Sequence, residues 1–251
     1  VEEIQLSQET LELQAGDAET LGTVCLPEDA GVKSVTWESS APEIASVYGG
    51  RVTGLREGTA VITAECGKAA ASCTVTVTGA LLPFSDLAAG AWYYDDMRFT
   101  TAKEILNGTG DGKMEPNGLV SWPAALQIVY NLAGRPEAES EIPNWYGAAL
   151  AWAQANGLLD NLTFDADGAV GRAEMITLLY RFAQKKNQKL AAEANLDAFT
   201  DANTVPEYAI EAARWAVGCG ILKGDENQRL TPLASLTRAQ IAALLRRYIE
   251  K

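Results

Sequence analysis

Histidine is absent from all 251 residues. Its absence removes Ser-His-Asp and Cys-His catalysis, imidazole metal sites and histidine acid–base work. Cysteine is scarce, with four residues too scattered for a zinc module. No apolar run approaches the roughly 20 residues a membrane helix needs, so no membrane insertion is expected. Positive charge is in deficit: 20 Lys and Arg against 33 Asp and Glu leave a formal charge of −13. That excess of negative charge argues against nucleic acid or an anionic bilayer as a partner through bulk electrostatics. An initiating methionine is missing too. The chain opens Val1-Glu2-Glu3 and reads as a trimmed piece of something longer, so missing targeting signals mean little. What is present is ordinary globular composition, 47% hydrophobic and 21% charged, in a length that suggests two compact units.

The two parts follow different hydrophobic periods. From Ile4 to Val77 short alternating runs recur, among them Leu11-Glu12-Leu13, Val35-Thr36-Trp37, Val61-Ile62-Thr63-Ala64 and Thr74-Val75-Thr76-Val77. Apolar residues two apart face one side of a pleated strand, and six or seven such runs favour an antiparallel sandwich. After Leu82-Pro83 the spacing turns helical. Tyr94 to Leu106, Trp145 to Leu159 and Tyr208 to Leu222 read as long helices, each followed by a Gly/Asp-rich loop and a second helix.

This pattern repeats. A shift of 53 sets Trp92 on Trp145 and Ile105 on Leu158; a further 63 sets Trp145 on Tyr208 and Leu158 on Ile221. For the second helices, shifts of 50 and 66 align Ser121, Gly171 and Thr237. Three units that each expose an apolar face must bury it on one another, which predicts a closed, pseudo-threefold all-α bundle with grooves between neighbours.

The residues also carry two resemblances. Phe84-Ser85-Asp86 and Phe199-Thr200-Asp201, Ala151-Trp152-Ala153, Gly220-Ile221-Leu222-Lys223-Gly224, Gly171-Arg172-Ala173-Glu174 and Thr237-Arg238-Ala239-Gln240 resemble three tandem S-layer homology motifs. Thr36-Trp37-Glu38-Ser39-Ser40, Ile44-Ala45-Ser46-Val47, Gly50-Arg51-Val52-Thr53-Gly54 and Gly58-Thr59-Ala60-Val61-Ile62-Thr63 resemble a bacterial Ig-like domain of group 2. The expected division is an all-β Ig-like sandwich over 1–79 and an S-layer homology triplet over 80–251, with repeats near 83–135, 143–187 and 197–251. The resemblance implies an extracellular bacterial protein, monomeric and non-catalytic, without cofactor. It would be held at the cell wall by secondary cell-wall polysaccharide, often pyruvylated, bound in the inter-repeat grooves. The Ig-like domain would serve as spacer, with a protein ligand as a further option. The alternative is an adhesin fragment whose repeats are mainly structural.

Physical chemistry suits an anionic sugar to certain residues. Thr237 and Gln240 form a capping box, and at Gly171 only the Glu174 half remains. Arg172 and Arg238 stand in the first helical turn, where a cation opposes the macrodipole. A guanidinium beside free N–H groups would receive a carboxylate; the plainer reading is an arginine paired inside the bundle. Unit one has Ser121-Trp122-Pro123 at this place and no arginine, so its signature is expected to serve structure. Asp86 and Asp201 brace helices or reach sugar hydroxyls. Trp145 and Trp152, seven apart, share a core stripe, or the set Trp92, Trp145 and Tyr208 borders a groove.

Other signals are weaker. Asn107 to Gly112 starts like a calcium loop but has Gly118 at the twelfth position, so it reads as a turn and no metal site is expected. Cys66 and Cys73 flank a Gly-Lys turn and are the preferred disulfide; three buried thiols are the alternative, and Cys25 could displace either partner.

Overall fold

The computed structural model describes residues 1–27, 34–186, 188 and 194–251. The expected end of the second repeat, residue 187, lies outside them. Two compact units emerge: Val1–Asp95 with Gly110–Lys113, and Asp96–Thr109 with Met114–Lys251.

Among the described residues the first unit holds nine strands: β1 (Glu3–Leu6), β2 (Thr10–Gln14), β3 (Ala18–Thr20), β4 (Thr23–Leu26), β5 (Thr36–Ser39), β6 (Ala45–Tyr48), β7 (Arg51–Gly54), β8 (Gly58–Cys66) and β9 (Ala69–Thr78). They form sheets of order β2-β9-β8-β5, β3-β7-β6 and β1-β4. Alternation does the sorting: along β9, Cys73, Val75 and Val77 are buried while Thr74, Thr76 and Thr78 face water. Leu11, Leu13, Val52 and Ile62 are among the residues that share that core. The expectation of purely antiparallel pairing needs correction, because β2 runs parallel to β9, Leu11 opposite Val75. The last strand ends at Thr78, yet the compact unit continues to Asp95, past the expected boundary at 79/80. The Gly90 N–H donates to Gly16 O at 2.9 Å, and a Cβ on Gly16, whose φ is +96°, would strike the buried ring of Tyr94.

The Cys66–Cys73 disulfide is corrected as well. None of the four cysteines is joined in a disulfide. The β8–β9 register sets Cys66 opposite Ala69 and Cys73 opposite Ile62, four positions along the ladder. At about 3.3 Å per residue that distance exceeds the ~7 Å Cα limit for a disulfide.

The second unit is helical. Its elements are α1 (Tyr94–Ala102, which begins in the first unit), α2 (Trp122–Leu132), α3 (Gly147–Ala155), α4 (Arg172–Lys185), α5 (Ile210–Gly218) and α6 (Arg238–Ile249). The first helix of each pair is shorter than expected, because a left-handed residue stops it: Glu104 (φ 56°), Gly157 (67°) and Gly220 (70°). The next N–H in each case reaches back five residues, from Ile105 to Thr100 O, Leu158 to Ala153 O and Ile221 to Ala216 O. The segments before the second helices bond in a closed cycle. Val120 N–H donates to Leu236 O (2.9 Å), Leu236 N–H to Val170 O (3.2 Å), and Val170 N–H to Val120 O (2.8 Å). All three side chains are buried. Among the described residues no helix is long and apolar enough to cross a membrane.

Candidate functional site

The second helices begin alike. Ser121, Gly171 and Thr237 are extended N-caps. Thr237 and Gln240 form the reciprocal box, with Gln240 N–H to Thr237 Oγ1 at 3.3 Å and Thr237 N–H to Gln240 Oε1 at 3.1 Å. Glu174 Oε2 accepts from Gly171 N–H at 2.5 Å, and Ser121 Oγ from Ala124 N–H at 3.3 Å.

The first-turn N–H groups are not free, which corrects the expected anion receptor. Arg238 N–H donates to Gly118 O and Ala239 N–H to Pro116 O; Arg172 N–H donates to Ala234 O and Ala173 N–H to Pro232 O. Trp122 N–H likewise donates to Gly168 O.

The side chains at this position follow the same rule. Arg238, 8% exposed, donates through Nε to Met114 O at 2.6 Å and through Nη2 to Asn107 O. Arg172 donates through Nη1 to Leu230 O at 2.7 Å and to Thr231 Oγ1. Buried Trp122 meets Phe164 edge-on, centroids 6.3 Å apart. Each residue thus reaches into the loop of another helix pair. Burial lowers the Arg172 pKa, while Asp225 and Asp201 oppose that shift. Asp201 steadies the same loop, its two oxygens accepting from Leu230 N–H at 2.8 Å and Thr231 N–H at 2.7 Å. Asp86 lies half-buried in the first compact unit.

Of the expected site residues, the structure brings Arg238 and Trp145 to one groove of about 430 Å³. Asn107, Thr109, Gln127 and Asn131 line it beside them. Trp145 precedes α3 and is 64% exposed, whereas Trp152 packs on Tyr130 and Phe182 at 5.7 and 6.2 Å. The two tryptophans therefore share no core stripe. Gln127 Nε2 donates to Asn131 Oδ1 at 2.9 Å, and Asn131 Nδ2 donates to Ile105 O at 3.1 Å. A groove lined by an exposed indole together with amide and hydroxyl side chains suits a ligand with both an apolar face and many hydroxyls.

Gln127 and Asn131 were missed in the sequence, although one signal pointed to Asn131. It aligns with Arg181 and Arg247, and all three donate to the equivalent carbonyl, of Ile105, Leu158 and Ile221 respectively. Among the described residues no group of His, Cys, Asp and Glu could hold a metal ion.

The family described as bacterial Ig-like domain (group 2) matches residues 1–78, and the S-layer homology domain family matches 83–121 and 198–242. The chain is 28% identical over 159 residues to a surface-layer 125 kDa protein of Lysinibacillus sphaericus, covering 58% of this chain and 13% of that one. It is 22% identical over 169 residues to an amylopullulanase of Thermoanaerobacterium thermosulfurigenes, covering 64% of this chain and 9% of that one. The chain thus spans a small fraction of these relatives' length. A bacterial Ig-like domain-containing GH10 xylanase from termite gut is similar in structure, with a TM-score of 0.25 and 15% identity, over 70% of this chain and 47% of that one.

Proposed function

Because the chain joins a group 2 bacterial Ig-like domain to S-layer homology domains, and so belongs to extracellular proteins of the bacterial cell surface, we propose that it is a non-catalytic anchor that binds secondary cell-wall polysaccharide in a groove of its helical unit. The groove of Trp145, Gln127, Asn131 and Arg238 is the observation that carries this reading. In it the indole stacks on a sugar ring and the amides meet hydroxyls. Arg172, Glu174, Asp201, Thr237 and Gln240 hold loops and helix starts of the helical unit.

The chain after residue 80 carries three repeats, near 83–135, 143–187 and 197–251, and the helix pairs of the helical unit lie around a threefold axis. The cycle Val120–Leu236–Val170 and the recurring helix starts support this count. The Ig-like domain acts as spacer, and the chain works as a monomer.

Binding to purified wall, before and after chemical removal of its polysaccharide, tests the proposal. Retention should vanish with the polysaccharide, and Trp145→Ala should weaken it at least tenfold with an unchanged melting temperature, since Trp145 is exposed. A second reading, an adhesin whose repeats are structural, draws on the occupation of Arg172 and Arg238 by main-chain carbonyls. Wall binding indifferent to both polysaccharide removal and the Trp145 substitution would establish that reading instead.

A further inference from the structure

The Ig-like unit contains a cysteine arrangement that strand pairing alone reveals. In the antiparallel β1–β4 ladder, Ile4 stands opposite Cys25. Directly opposed residues project from the same face of the pair. Ile4 turns that face onto Ala64 and Cys66 of β8, in a small core separate from the main one, and Cys25 packs against the same cluster. The Cys66 thiol is hydrogen-bonded to the Cys25 side chain. Cys73 belongs to the other core, where its thiol lies 3.9 Å from Thr74 O.

We propose that Cys25 and Cys66 are an oxidisable pair that closes into a disulfide between β4 and β8 outside the cell. An extracellular location permits such a bond, where a reducing cytosol would not. The accessibilities order the steps. Cys66 is fully buried and Cys25 is partly exposed. With a low-molecular-weight disulfide as oxidant, the Cys25 thiolate attacks one sulfur, forming a mixed disulfide and releasing one thiolate. The Cys66 thiolate then attacks Cys25 Sγ and expels the second. Two protein thiols lose two electrons and two protons, and the oxidant's sulfurs gain them as two small-molecule thiols. Contact with Cys25 and burial both raise the pKa of Cys66, so the closing step should quicken as pH rises.

The test uses the full reduced chain, held under native conditions with oxidised glutathione and then alkylated after denaturation. Mass spectrometry should find the chain lighter by about 2 Da, two alkylatable thiols remaining, and a peptide spanning Cys25 cross-linked to one spanning Cys66. The oxidised form should melt about 10 °C higher in its Ig-like unit, because the bond closes a loop of some forty residues. Cys25→Ser should abolish the cross-link; Cys73→Ser and Cys219→Ser should leave it intact. The comparison of oxidised and reduced wild type does not depend on any variant folding. Four alkylatable thiols after oxidation, or a cross-link through Cys73, would overturn the proposal.

Discussion

Arg238 shows how a residue chosen for one task on chemical grounds can have another. Its guanidinium is a cation in a first helical turn, where the macrodipole disfavours it. The compensation is the carbonyls of Met114 and Asn107, more than a hundred residues away in sequence. Both the type of residue and its repetition at Arg172 were legible in the sequence. The acceptors were not, because a carbonyl oxygen carries no side-chain signature and these two meet the arginine only after the chain has closed on itself. A buried charge with its acceptors removed, or buried acceptors without their charge, costs more than a surface contact. Arg238→Ala should therefore lower the stability of the helical unit by about 3 kcal/mol in urea unfolding, with Arg238→Lys recovering only part. A loss under about 0.5 kcal/mol would mean that water replaces the guanidinium without penalty.

Single elements show where periodicity sufficed and where it failed. The alternation in β8 and β9 identified their buried faces, since a two-residue period is local. The parallel β2–β9 ladder stayed hidden, because nothing within residues 10–14 announces a partner more than sixty positions on. Among the helices, apolar spacing ran past the true ends, as it continues into Ile105, Leu158 and Ile221, which are buried beyond the last turn. The stops are backbone events. Two of the three carry glycine at the left-handed position, and the third carries Glu104. A residue with a Cβ bears a cost there of about 1 kcal/mol that glycine escapes. The Glu104 carboxylate has an exposed partner, Arg135 at 3.8 Å, and surface pairs of this kind contribute little. Glu104→Gly should then raise the stability of the helical unit by about 0.5–1 kcal/mol, read from the urea midpoint at constant slope. A drop would show that the ion pair outweighs the backbone.

At the scale of the whole molecule, the groups with raised pKa values are acids that the fold keeps protonated. Burial raises Tyr208 and Cys73; contact with Cys25, then burial, raises Cys66; burial pushes Tyr248 up to about 12 despite a hydrogen bond to Gln188. The unfolded chain releases these protons at lower pH than the folded one, so the folded state binds more of them in between. Their contribution is complete below pH 8 and declines as pH rises through the ordinary thiol and phenol values toward 12. Melting temperature should fall steeply from about pH 9 upward in the reduced protein, and Tyr248→Phe should flatten the upper part of that fall. An unaltered profile in that variant would remove Tyr248 from the account. The cycle of Val120, Leu236 and Val170 has a different kind of consequence. Each helix pair offers one amide and takes one carbonyl, so the first pair completes its bonding only when the last has been made. Such a chain counts its own members: a pair removed leaves a donor and an acceptor facing water or a second molecule, and a pair added finds no opening. A version lacking one helix pair should therefore bond its open donor and acceptor to another copy of itself.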